Sequence, residues 1–319
     1  MRSRVFPPLD QKLKLRPDHW SGGAARVATR LGLLSKSFDL AAQAFGDAVG
    51  GSMSADSLRR VTEGWGQAVA ELRAGEAQRA NAVAQRGEGA STPRVAVSAP
   101  IGEQANVSSD GVMMLVRGEG WKEVKLLAIS EVQVRPPEAR GAGPSRREHD
   151  PLVELSQHSY QAGLWEADTF GLYQYAEALR RGLVSWAKSS SVNDAAVWIK
   201  RITSTNFPGM PQVVDWSHAA GHLWAVANAV YGEQTPAAKQ WAERHLDLLW
   251  EGRVGQVVSS LDQLHLDRAG YAEGVREAPD YFRGNQERMR YAAFRAQGLP
   301  IGSGTVESAA VPPQSCITA

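Results

Sequence analysis

The sequence predicts an α/β protein built on a mixed sheet, with a helical segment before the sheet and an almost wholly helical one after it. Three observations carry that expectation. Residues 108–130 (SSDGVMMLVRGEGWKEVKLLAIS) alternate apolar side chains on either side of an Arg-Gly-Glu-Gly turn, as a β-hairpin does. The order that follows is a helix over Ala167 to Leu183, a second helix opening at Asp194, a short apolar strand PQVVD ending at Asp215, and a helix again, which is the order of an α/β layer. From Trp216 to Gly298 the spacing is helical and rich in tryptophan and histidine, with Thr235-Pro236 as a capped helix start.

A chain of 319 residues with 22% charged and 43% hydrophobic side chains can bury a full core and is not a disordered composition. Its 35 basic and 34 acidic residues nearly cancel, so any nucleic-acid contact must come from local patches. The single cysteine, Cys316, excludes a disulfide framework and a thiolate zinc cluster within the chain, and a reducing cytoplasm fits. No apolar run reaches ~20 residues and no signal-peptide pattern opens the chain, so neither a membrane span nor export is expected.

Before the hairpin, Ser21 can cap a helix through about Leu34, Phe38 to Val49 forms a second, and Gly50-Gly51 breaks it. Ser54 then caps a third helix that carries Arg59, Arg60 and Trp65. Short helices around a glycine turn suggest a helix-turn-helix, whose Ser54 helix would offer Arg59 and Arg60 to phosphates or bases in the major groove. A plain three-helix bundle with a solvated arginine pair accounts for the same spacing. A further helix is expected from Gly66 to about Arg86, followed by the linker GEGASTPRVAVSAPIGEQA; Arg135 to Asp150 reads as a Pro, Gly and Arg loop.

Asp110 lies in register with Val112, Met114 and Val116 on the core-facing side of its strand. A carboxylate there loses hydration and needs a cation or metal ion to stay charged, although Asp-Gly also suits a plain turn. Asp215, His218 and His222 have metal-ligand spacing; buried hydrogen bonding is the stronger account, because no Glu separates the histidines as on a zinc-peptidase helix. In Tyr281 to Ala309, Arg283, Arg288, Arg290 and Arg295 interleave with Tyr281, Phe282, Tyr291 and Phe294, a pattern that suits a nucleic-acid groove. Gly302-Ser303-Gly304 then leads into a helix start bearing Glu307, which can face back into a cleft.

Taken together, SSDGVM, GEGWKEVK, HSYQAGLWEADTFG, VVDWSHAAGHLW and YFRGNQERMRYAAFRAQGLPIGSGTVESA resemble the bacterial insertion-sequence transposases of the Kra type, relatives of the Mutator-like group, from about Phe6 to Ala309. The resemblance implies an RNase H-like fold, with a DDE triad of acids binding two divalent ions, Mg2+ or Mn2+. It matches Asp110 to the first acid, Asp194 to the second and Glu307 to the third, and Asp215 with His218 to an Asp-x-x-His element. The residues alone rank Asp215 above Asp194, because PQVVD is the better strand and serines precede Asp194 where the family has an apolar strand. The implied domains are a helical, DNA-binding 1–86, a linker 87–105, an RNase H-like core 106–215, an all-α insertion 216–298 and a core completion 299–319.

The implied activity is cleavage and strand transfer at the ends of an insertion sequence, by a homo-oligomer on double-stranded DNA that carries the terminal inverted repeats and on target DNA. A nuclease of the same fold, a zinc hydrolase using Asp215, His218 and His222, and a non-catalytic DNA-binding remnant are the alternatives. Two departures imply a copy truncated at both ends. The family's cysteine pair is missing before Pro8-Leu9-Asp10, and after Glu307 the chain turns to AVPPQSCITA, where Pro312-Pro313 stops a helix of about seven residues and leaves Glu307 poorly aimed.

Overall fold

The computed structural model describes residues 20–85, 102–116, 118–135, 151–183, 188–266 and 270–306. The chain divides into two compact units, one of residues 1–76, 114–122 and 311–319 and the other of residues 77–113 and 123–310. Among the described residues no helix is long and apolar enough to cross a membrane.

In the first unit, α1 (Gly22–Leu34) and α2 (Phe38–Val49) start where expected. The Ser21 and Ser37 hydroxyls accept the N–H groups of Ala24 and Leu40, satisfying first-turn donors. Gly50 ends α2 in the left-handed conformation, with φ of 68°, and Ser54 caps α3 (Ala55–Gln85) by accepting from Ser57. Ala25 and Ala28 of α1, Ala41 and Phe45 of α2, and Leu58 and Val61 of α3 share one core. The helix expected to begin anew at Gly66 is instead the continuation of α3, 31 residues long. A helical glycine costs only about 1 kcal/mol against alanine, too little to break so long a run.

The second unit is mixed α/β. Strands β1 (Ala105–Val116), β2 (Gly120–Arg135) and β3 (Leu152–Gly163) form a sheet in that order, with β2 and β3 antiparallel; residues 114–122, the end of the β1–β2 hairpin, count with the first unit. The turn between β1 and β2 holds Gly118 and Gly120 at φ of 82° and 80°, a region glycine enters without steric cost. Strand β1 begins five residues before Asp110 and runs straight through Gly111, so Asp-Gly is not a turn here. Gly111 serves a close approach: a side chain on it would collide with the Glu123 carboxylate. After α4 (Ala167–Arg180) come β4 (Ser191–Asn193), α5 (Val197–Asn206) and β5 (Gln212–Val214), and β5 pairs parallel with β4. A parallel bridge from Asn106 to Ser190 sets β4 beside β1, giving the order β3, β2, β1, β4, β5.

One face of this sheet, with Ala105, Val107, Leu127 and Ile129, packs against Phe170 and Ala178 of α4 and Ile202 of α5. On the other, Leu126 and Ala128 meet Val306 of a helical turn over 304–306, with Val112 and Val124 alongside. Helices α6 (Trp216–Tyr231), α7 (Pro236–Trp250), α8 (Val254–Asp262), α9 (Glu273–Arg276), α10 (Ala278–Asn285) and α11 (Tyr291–Ala296) share a core with Val192 of β4 and Val213 and Val214 of β5. The helical run expected from Trp216 is therefore present. The loop expected over Arg135 to Asp150 lies outside the described residues beyond its first residue, as does most of the expected linker.

Candidate active site

The site is set by the register of three parallel strands. The Ser109 N–H donates to the Asn193 side chain at 2.5 Å, the Ser191 hydroxyl to the Val107 carbonyl at 2.8 Å, and the Ala105 N–H to the Ser189 hydroxyl at 3.1 Å, all at an offset of 84 residues. That offset carries Asp110 level with Asp194. Strand β5 extends the row, because Asn193 pairs with Val214 and its carbonyl accepts the Asp215 N–H at 2.7 Å. The register thus sets Asp110, Asp194 and Asp215 at one level, the last two one residue beyond the ends of β4 and β5. In open α/β sheets, ligands bind outside the carboxyl ends of parallel strands, where Asp194 and Asp215 stand.

The three carboxylates differ in their surroundings. Asp215 is buried and caps α6: one oxygen accepts the Ser217 hydroxyl and the His218 N–H, the other the Ser303 N–H at 2.5 Å and hydroxyl at 2.9 Å. Burial alone would raise its carboxyl, but these hydrogen bonds outweigh it and hold the group below the ordinary aspartate range. Asp194 is half-buried and accepts the Ala196 N–H at 2.9 Å, so its turn leads into α5. Asp110, also half-buried, accepts from the Gly111 N–H and lines a cleft of ≈ 620 Å³ with Ser217, His218, Gly221 and His222 of α6 and with Ala272, Gly274 and Val275.

Two of the three zinc candidates are engaged elsewhere: Asp215 on both oxygens, and His222, whose ring stacks on Tyr281 at 3.9 Å. Among the described residues no three His, Cys, Asp or Glu side chains gather to hold a metal ion, Asp110, Asp194 and Asp215 included. Burial and the nearby His218 push the His222 imidazole below its ordinary value. Glu307 lies outside the described residues. The chain is described up to Val306, which packs on Leu126 and Ala128 of the face that carries Val112 and, two residues back, Asp110.

The arginines expected to line a nucleic-acid groove divide in two. Arg288 is buried and donates to the Asn285 side chain, while Arg295 donates to the Trp250 carbonyl at 2.7 Å and lies over its ring at 3.7 Å. Phe282, Tyr291 and Phe294 are core residues, so the interleaving there is an amphipathic pattern that turns aromatics inward. Arg283 and Arg290 remain at the surface, the first paired with Asp262 at 2.7 Å and the second with Glu287 at 3.4 Å. On α3, Arg59 pairs with Asp56 at 2.8 Å and Glu63 at 2.9 Å, and Arg60 with Asp56 at 3.1 Å, all exposed. Ser303, Asn193 and Tyr281 are structural members of the site; the sequence pointed to Ser303 only as part of a glycine turn and to Tyr281 only as one of the interleaved aromatics, and not to Asn193.

No protein-family model matches this chain, and no curated protein matches it.

Proposed function

We propose that the chain is a DNA transposase of the DDE type, cleaving and joining DNA at the ends of an insertion sequence, with Asp110 and Asp194 as its first two acids and Glu307 as the third. The observation that carries the reading is the 84-residue register between β1 and β4, which brings Asp110 and Asp194 level. A strand order β3, β2, β1, β4, β5 with a parallel second half supports an RNase H-like core, and the run of helices from Trp216 onward supports an all-α insertion. Asp194 is favoured over Asp215 as the second acid because the latter's oxygens are already engaged by Ser217, His218 and Ser303.

The donor set suits Mg2+ or Mn2+, since two half-buried carboxylates offer hard oxygen ligands; His218 and His222 line the same cleft as Asp110, with the His222 ring stacked on Tyr281. Divalent ions held by Asp110, Asp194 and Glu307 would supply Lewis-acid activation of water or a 3′-hydroxyl at a scissile phosphate. The protein's own part is to hold those carboxylates in line, and to bind duplex DNA through exposed arginines such as Arg59, Arg60, Arg283 and Arg290.

The test is to incubate the full chain with Mg2+, a supercoiled plasmid and a duplex carrying the element's inverted repeat with a free 3′-hydroxyl. Covalent joining of duplex to plasmid is the expected result. Nicking without joining would make the chain a nuclease, and binding without either would make it a remnant.

A further inference from the structure

Arg288 was expected to contact DNA, yet it is only 9% exposed and lies within the second unit's interior. One terminal nitrogen reaches 93 residues back along the chain to the Ala195 carbonyl at 3.4 Å, and also donates to the Asn285 side chain. Ala195 is the residue next to Asp194. Among the described residues, the Arg288 Nε and the Tyr281 hydroxyl are both buried without a hydrogen-bond partner. Buried donors left in that state call for a role, because burial strips them of water without replacing its hydrogen bonds. The Tyr281 ring is braced flat against His222, a residue of the cleft that Asp110 lines.

We infer that Arg288 is a positioning residue for Asp194: it fixes the turn behind the carboxylate through the Ala195 carbonyl. This rests on the proposed role of Asp194. An arginine suits the task because its planar fork keeps its charge when buried and can hold a carbonyl and a side chain together. Residues that orient a metal-binding carboxylate typically change metal affinity about 10- to 100-fold when removed.

The experiment is Mn2+ binding by the full chain, measured by calorimetry for the parent, R288M, R288K, N285A and D194N, with thermal melting and metal-free DNA binding alongside. R288M should weaken Mn2+ binding about 10- to 100-fold and R288K should restore part of it, with DNA affinity unchanged. Should R288M not fold, N285A decides, because it removes the side-chain oxygen that holds the Arg288 nitrogen; it should weaken Mn2+ binding several-fold. Binding that D194N abolishes but that R288M, or N285A in its place, leaves unchanged overturns the role of Arg288 alone. A parent that binds no Mn2+, or binding that D194N does not alter, overturns the reading of Asp194 as well.

Discussion

Asp215 accepts both the backbone N–H and the hydroxyl of Ser303, 88 residues further along the chain. This pair ties the start of α6 to the loop that precedes Glu307, and Trp216 adds a bond from its N–H to the Ile301 carbonyl at 2.8 Å. Asp215 is therefore a tether, with little left to offer a metal ion. Ser303→Ala, which removes the hydroxyl alone, should cost about 1.5–3 kcal/mol in urea unfolding, the usual worth of a bond to a charged group. No loss of stability would show that the tether carries no weight.

The same tether sets an acid limit. A carboxyl held below its unfolded value, here 3.8, contributes stability that is full above that value and is lost as pH falls through the lower folded one. The parent should lose stability below pH 3.8 more steeply than Asp215→Asn. Equal acid limbs for the two proteins would contradict the hydrogen-bonded, ionised Asp215.

His222 acts in the same direction at milder pH. Its imidazole titrates below the ordinary value of 6.5 in the folded chain, so the unfolded chain binds the proton first and stability falls as pH drops below 6.5. His222→Phe keeps a ring against Tyr281 and removes that titration. Its melting temperature should vary less between pH 7 and pH 5 than the parent's, the buried His245 supplying most of what remains; an unchanged slope would place His222 in solvent.

On α3, DNA phosphates would have to displace Asp56 and Glu63 from Arg59 and Arg60. Replacing both arginines with alanine should weaken duplex binding across all sequences and reduce the log–log salt slope by about 2. Unchanged affinity and slope would remove these residues from the DNA-binding surface.

Where burial followed apolar periodicity, the chain was legible. The helix bounds of α1 and α2 were set by Ser21, Ser37 and Gly50, and the hairpin by alternation around its glycines. Strand β4 was hidden because its neighbourhood is serine and asparagine: Ser189, Ser190, Ser191 and Asn193 are buried, yet each finds a partner among Ala105, Asn106, Val107 and Ser109 of β1. Hydrogen bonding between neighbouring strands replaces apolar burial at the centre of this sheet, and hydropathy cannot register it. Strand β3 was missed for another reason. Its pairing with β2 slips at Ile129 and Glu131, and Gln157 takes a φ of 49° there, which breaks the two-residue period.

The site was partly legible. Asp110 was picked out by its strand and Asp194 only through the resemblance, the residues alone ranking Asp215 higher; the register that sets the proposed pair level runs through polar side chains. The roles of Arg288 and Arg295 were misread because a buried arginine and a DNA-facing one look alike in a string of letters; Asn285 and Trp250, which hold them, give no cue by spacing.

In the proposed transposase, Asp110 and Asp194 form the working carboxylate pair while Asp215 supports the fold. The most direct measurement is the Mn2+-dependent nicking of supercoiled plasmid by the full chain and by Asp110→Asn, Asp194→Asn and Asp215→Asn, each assayed well below its melting temperature. The account predicts a loss of about 10³-fold or more for the first two, the equivalent of several kcal/mol of lost metal stabilisation, and a loss no greater than about tenfold for the third. Nicking that survives Asp194→Asn but disappears with Asp215→Asn would contradict it and make Asp215 the second acid.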